Sequence, residues 1–266
     1  MAGTPDPFPA RARLVAWFLW ALGLTYAASE LLQRTLPSFS VVLFSPEQGA
    51  EEEFVTSPSP LVDLVLLSVV QPVLLFHVLW KHDPGFSGGG RWARMLAVLG
   101  VALTAVGHGA HVVANLFEHP ARSQATSQLH GLIYFYDEYL GHALIVGGLL
   151  CFLAAALVVE PNLKPLVRGD RARRDVPLLA LAGLAFGGTF AMSTIEGQSV
   201  LVTAVGTTAL ATWSIRAAGG LKGLRGRPVA LFVVVVWLAV LATAAVWAAL
   251  TGVRSTYSFF VQPSEL

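Results

Sequence analysis

The amino-acid sequence predicts an all-α integral membrane protein, a bundle of seven transmembrane helices, on three observations. Apolar residues make up 55% of the chain and charged residues only 12%, with a mean hydropathy of +0.65. A water-soluble domain carries about 25% charged residues, so too little polar surface remains to cover a soluble globule. Seven apolar stretches approach or exceed the roughly 20 residues needed to cross a bilayer. The basic residues are also segregated, 14 of the 17 falling in the tail and alternate loops and only Arg34, Arg122 and Arg254 in the others.

The spans cover approximately residues 14–32, 61–80, 95–117, 132–159, 176–194, 199–215 and 229–250, in a single domain of residues 1–266. Arg11 and Arg13 precede the first, as in a signal peptide. Its apolar run is longer than a usual signal core and no small-residue cleavage site follows, so it reads as a helix. Pro72 lies in the middle of the second span and predicts a kink there. The third and fourth spans are joined by a short loop and therefore run antiparallel. Residues 178–216 form one apolar stretch broken only at Thr194–Gln198, and 39 helical residues would cross almost twice the hydrocarbon thickness. A tight hairpin at Glu196-Gly197-Gln198 is the better reading. The seventh span holds no lysine, which excludes a retinal Schiff base, and no histidine.

The positive-inside rule places the N-terminus in the cytoplasm and the C-terminus outside, with the acidic first loop (Glu51, Glu52, Glu53) also outside. Nucleic-acid binding has no support, because no basic surface domain or recognition motif is present. Cys151 is the only cysteine, so no intrachain disulfide forms, and three methionines argue against a thioether copper site.

Five of the seven histidines fall between residues 108 and 142. In the third span His108, His111, Asn115 and Glu118 are spaced three, four and three, which puts them on one helical stripe. In the fourth, Glu138 and His142 are four apart and share a face, with Asp137 about 100° around the helix. Counted from the connecting loop at about 1.5 Å per residue, His142 reaches the depth of His108 and Glu138 that of His111. An ionisable side chain at the bilayer centre costs at least about 2.5–3.5 kcal/mol, so such groups face a cavity and a partner. A cation would offset the cost of several together. Neutral imidazoles and carboxylates suit zinc or iron, and paired helices commonly supply them at these spacings.

The sequence therefore predicts an intramembrane metal-dependent enzyme, a hydrolase of lipids or other amphipathic molecules, with its site facing outward from the cell membrane. His108, His111 and His142 are the expected metal ligands, zinc ahead of iron. Glu138 or Asp137 is the fourth ligand or the general base on metal-bound water. Glu196, beside Thr194 and Gln198, is a further acid–base candidate, and Glu30 and Asp63 are weaker ones. His119 and His130 read as interfacial, and His77 as a structural partner. Tyr134, Tyr136 and Tyr139 read as interface aromatics. Gly107 with Gly109, and Gly147 with Gly148, read as points of close helix approach.

No G-x-S-x-G elbow, Walker loop or H-E-x-x-H is present. One alternative is a b-type haem held by His108 and His142 in an electron-transfer protein; another is a metal- or proton-binding sensor or carrier. The inner halves of the spans are apolar apart from Gln71 and His77, which disfavours a through-route. Seven spans with buried histidines and a carboxylate resemble, in architecture, the membrane hydrolases of the alkaline ceramidase and adiponectin-receptor superfamily. Their zinc site uses a histidine pair on the last helix, which the seventh span here lacks, so that motif does not transfer.

Overall fold

A computed structural model describes residues 17–28, 31, 41–44, 54–56, 65–70, 72–73, 90–124, 127–162 and 170–253. Helix dominates. In chain order the helices are α1 (Trp17–Ala28), α2 (Gly90–Gln124), α3 (Ser127–Tyr134), α4 (His142–Val159), α5 (Asp170–Glu196), α6 (Val200–Ala217) and α7 (Pro228–Thr251). A π-helical segment, Phe135–Gly141, joins α3 to α4 without a break.

Five of these are long and apolar enough to cross a membrane: Gly90–Ala114, Gly131–Val159, Val176–Glu196, Val200–Ala217 and Pro228–Thr251. They coincide with the third to seventh predicted spans. The first is represented by the shorter apolar α1. Of the second, residues 65–70 and 72–73 are described, and they include a π-helical turn, Leu66–Val70, shortly before Pro72. A widened turn there fits a ring that cannot donate a backbone hydrogen bond. The first loop departs from the all-helical expectation. Val41–Phe44 (β1) and Phe54–Thr56 (β2) pair as an antiparallel ribbon, with Val41 opposite Thr56 and a register shift after Val42. Apart from Leu43, both segments are β-branched or aromatic, the composition that suits a pleated surface.

Packing is densest between α2 and α4, which run antiparallel. A Cβ on Gly148 would lie 2.1 Å from Thr104 Oγ1 and 2.7 Å from the Gly100 carbonyl oxygen, and one on Gly107 would lie 2.7 Å from the Gly141 oxygen. Between helices in lipid the hydrophobic effect supplies little, so close backbone approach through small residues is what holds them. The positions that permit it are Gly100, Gly107, Gly141 and Gly148, two pairs each seven residues apart. Gly109 faces open space and Gly147 makes only ordinary contact with Leu103, contrary to the pairing expected from sequence. Glycines play the same part elsewhere. Gly23 of α1 approaches the Ala182 carbonyl of α5, and Gly187 of α5 lies against Val236 and Ala239 of α7. Tyr26, Phe186, Phe190 and Phe232 stack around that junction at centroid distances of 5.0–6.2 Å.

At the far end of α4 a single carboxylate closes the bundle. Glu160, 4% exposed, accepts hydrogen bonds from the backbone N–H groups of Val229 (2.7 Å) and Ala230 (3.2 Å), while Arg227 donates to the Glu160 carbonyl. These are orphan donors of the first turn of α7, so Glu160 caps that helix from a distance. Burial pushes its carboxyl above the usual range, with the Ala230 and Val229 N–H groups and Arg227 pulling the other way. An acid raised in the folded state stabilises most when protonated, and that contribution is lost as pH rises through the raised value. We expect Glu160→Ala to cost about 1–3 kcal/mol in detergent unfolding. Glu160→Gln should keep the acceptor and lose the pH dependence: from pH 4 to pH 8 the wild type should lose more stability than this variant.

Candidate functional site

The site forms where α2, the π-helical segment and the α5–α6 turn meet. On α2, one helical turn separates His108 (3% exposed) from half-buried His111. Opposite them stand Asp137 and Glu138 on the π-helical segment and His142 at the start of α4, with Asp137 and His142 buried. His111 Nδ1 contacts Asp137 Oδ1 across the two helices. The His111 and His142 rings meet edge to face with centroids 5.1 Å apart. His108 and His111 of the third span's stripe therefore face Asp137 and His142 of the fourth.

The π-helical geometry sets where the two carboxylates lie. Hydrogen bonds five residues apart widen the turn and bring positions five apart onto one face. Asp137 and His142 are such a pair, and His142 Nδ1 donates to the Asp137 carbonyl oxygen at 3.1 Å. The regular helix assumed from sequence put Asp137 to one side and Glu138 in line with His142. Instead Asp137 is the residue that joins the two helices, through its side chain to His111 and its backbone to His142. Glu138, expected to share a face with His142, has Oε2 3.7 Å from His142 Nδ1.

His108 Nδ1 donates to the Thr104 carbonyl at 3.1 Å. Each of the three imidazoles thus has Nδ1 against an oxygen: Thr104 O, Asp137 Oδ1 or Asp137 O. A carbonyl only accepts, so His108 and His142 carry their proton on Nδ1 and their lone pair on Nε2. Such anchoring is also typical of metal-bound histidine. The positions, however, do not fit a ready-made metal centre. Among the described residues no three or more His, Cys, Asp or Glu side chains are placed to hold one ion.

The α5–α6 turn covers His142. It ends α5 in a Schellman arrangement, with Ser199 N–H donating to Thr194 O at 2.8 Å and Gln198 N–H to Ile195 O at 3.3 Å. The hairpin predicted at Glu196-Gly197-Gln198 is therefore present. Gly197 sits so close that a Cβ there would lie 2.1 Å from His142 Cγ. Gln198 takes the left-handed position with φ 50°, which glycine usually fills. That conformation costs a residue with a side chain about 1–2 kcal/mol. Its amide offsets the cost. Tyr139 Oη donates to Gln198 Oε1 at 3.1 Å, and Gln198 Nε2 donates to Tyr134 Oη at 3.0 Å.

Tyr134 and Tyr139, read from sequence as interface aromatics, are thus tied into the site, whereas Tyr136 is exposed as such a residue should be. Gln198 is the site residue that sequence reasoning underrated. Its only sequence signal was its place in a polar break between two apolar runs. Glu196 ends α5 beside Gly197 and is half-buried. Glu30, Asp63, Gln71 and His77, and the side chains of Asn115, Glu118, His119 and His130, lie outside the described residues.

Comparison of the chain with protein-family models, with curated proteins and with solved structures finds no match. The site therefore has to be read from its own chemistry.

Proposed function

We propose that the protein is a seven-span membrane enzyme whose centre is a partly buried acid–base dyad, His111 oriented by Asp137, acting on a lipid or other amphipathic substrate. The observation that carries this reading is the His111–Asp137 contact between two closely packed helices in an otherwise apolar bundle. A carboxylate on Nδ1 orients an imidazole and leaves Nε2 to take a proton, the arrangement that general-base catalysis uses. Charge segregation along the sequence supports a cytoplasmic N-terminus and an outward-facing site. A substrate with an apolar part would reach such a site from the outer leaflet. His142, held edge-on to His111, is placed to pass or accept a second proton.

General acid–base groups contribute about 10²–10⁴-fold to rate. Wild-type protein in nanodiscs containing ester- and amide-linked lipids should release cleavage products, detected by mass spectrometry, and His111→Gln should lower the rate at least about 100-fold. No product from the wild type across that lipid set would contradict the reading.

A second reading has its own support. The three Nδ1–oxygen contacts fit imidazoles prepared to bind zinc or iron through Nε2, with Glu138 as a further donor. The ligands would then have to move together on binding, since the described residues form no converged set. Such a metal would supply a Lewis acid and an activated water.

A further inference from the structure

We infer that Gln198 is a positioning residue: by bridging Tyr134 and Tyr139 it holds Gly197 down on the His142 ring and so fixes that ring within the site. This rests on the reading of the cluster as an acid–base centre, but its test reads the ring and not turnover.

Three independent features converge on the turn. Gln198 is the only residue other than glycine, among those described, with positive φ. A glycine would take that position without strain, so the side chain must contribute something a glycine lacks. What it contributes is a two-ended bridge, accepting from Tyr139 and donating to Tyr134. Both tyrosines flank Asp137 and Glu138, so the bridge spans the segment that carries the site carboxylates. Between bridge and ring lies Gly197. The absence of a Cβ there lets the backbone seat directly on His142, where any side chain would collide with the His142 Cβ and with Cγ and Cδ2 of its ring.

The consequence is a ring held from two sides. From below, His142 Nδ1–H donates to the Asp137 carbonyl; from above, the Gly197 backbone bars rotation about the side-chain bonds. Imidazole tautomers differ in which nitrogen bears the proton, and the partner of one nitrogen sets the role of the other. Seating the ring therefore determines which nitrogen His142 presents to His111. Gln198 touches neither reacting group and acts through Gly197.

The test is ¹⁵N NMR of full-length protein labelled at histidine, in nanodiscs, with His142 signals assigned by their loss in His142→Gln. In the wild type His142 should show a single Nδ1–H tautomer. Gln198→Gly removes the bridge while suiting the backbone. Its thermal unfolding should stay near the wild-type value while the single-tautomer signature of His142 is lost. His108, anchored to Thr104 on another helix, should keep its signals and serves as the internal control. Should Gln198→Gly fold poorly, the double variant Tyr134→Phe, Tyr139→Phe removes the same bridge and should produce the same change. A His142 that stays in one tautomer in both variants overturns the inference, including where unfolding temperature falls, because that pattern marks a structural bridge only. Loss of the signature without lipid cleavage by the wild type would uphold the positioning role and count against the acid–base enzyme alone.

Discussion

Gly148→Val should prevent the protein from accumulating in a folded form. The added Cβ would lie 2.1 Å from Thr104 Oγ1, 2.7 Å from the Gly100 carbonyl oxygen and 2.9 Å from the Thr104 nitrogen. Two of those three atoms are backbone, which no side-chain rotation can move. α2 and α4 would have to move apart at this point, disturbing the His111–Asp137 contact. Overpacking of a core typically costs about 1–3 kcal/mol, and a clash with fixed backbone should exceed that. The expected readout is loss of the monodisperse peak in detergent size-exclusion chromatography. Gly109→Val serves as the control: nothing lies within 4 Å of the Cβ it would add, and it should behave as wild type apart from a small helix-propensity effect.

Asp137→Asn should abolish turnover while costing little stability, and the disparity is informative. In water-soluble proteins, breaking a buried ion pair costs about 3–5 kcal/mol. Between transmembrane helices the measured worth of a polar contact is smaller, about 0.6–2 kcal/mol, because the unfolded chain in lipid also finds partners. A stability loss of about 1–2 kcal/mol is therefore expected, with a rate loss of about 100-fold or more. The double variant His111→Phe, Asp137→Leu sharpens this. Replacing both members of a buried pair by apolar groups is often neutral or stabilising, so the double variant should unfold near the wild-type temperature and remain inactive. Were the pair only glue between helices, this double variant would keep full activity.

How much of this was legible in the sequence depended on the range of the contact involved. The α5–α6 hairpin could be placed because 39 apolar residues cannot lie in one span. His108 and His111 could be put on one face, and opposite His142, because α2 is regular and the connection to α3 is short. Asp137 was among the candidates, but its alignment with His142 was not legible, because a π-helical turn changes the phase of everything near it and nothing in Phe135–Gly141 announces one. The Gln198 bridge joins residues 59 and 64 positions apart, and the Glu160 cap residues 69 and 70 apart. Such pairings depend on which helices become neighbours, which periodicity alone leaves open. The glycines show the same limit. Gly107 and Gly148 were identified as packing positions, but their partners Gly100 and Gly141 carry no signal that distinguishes them from Gly109 and Gly147.

Whether His111 and Asp137 act directly as an acid–base pair is decided by elemental analysis of detergent-purified protein, with His108→Ala and His142→Ala measured beside the wild type. A direct acid–base pair predicts folded protein that cleaves lipid with zinc and iron well below one equivalent, unchanged in both variants, and without haem absorbance. Near-stoichiometric zinc or iron in the wild type, lost in both variants, would contradict it and establish the histidines as ligands.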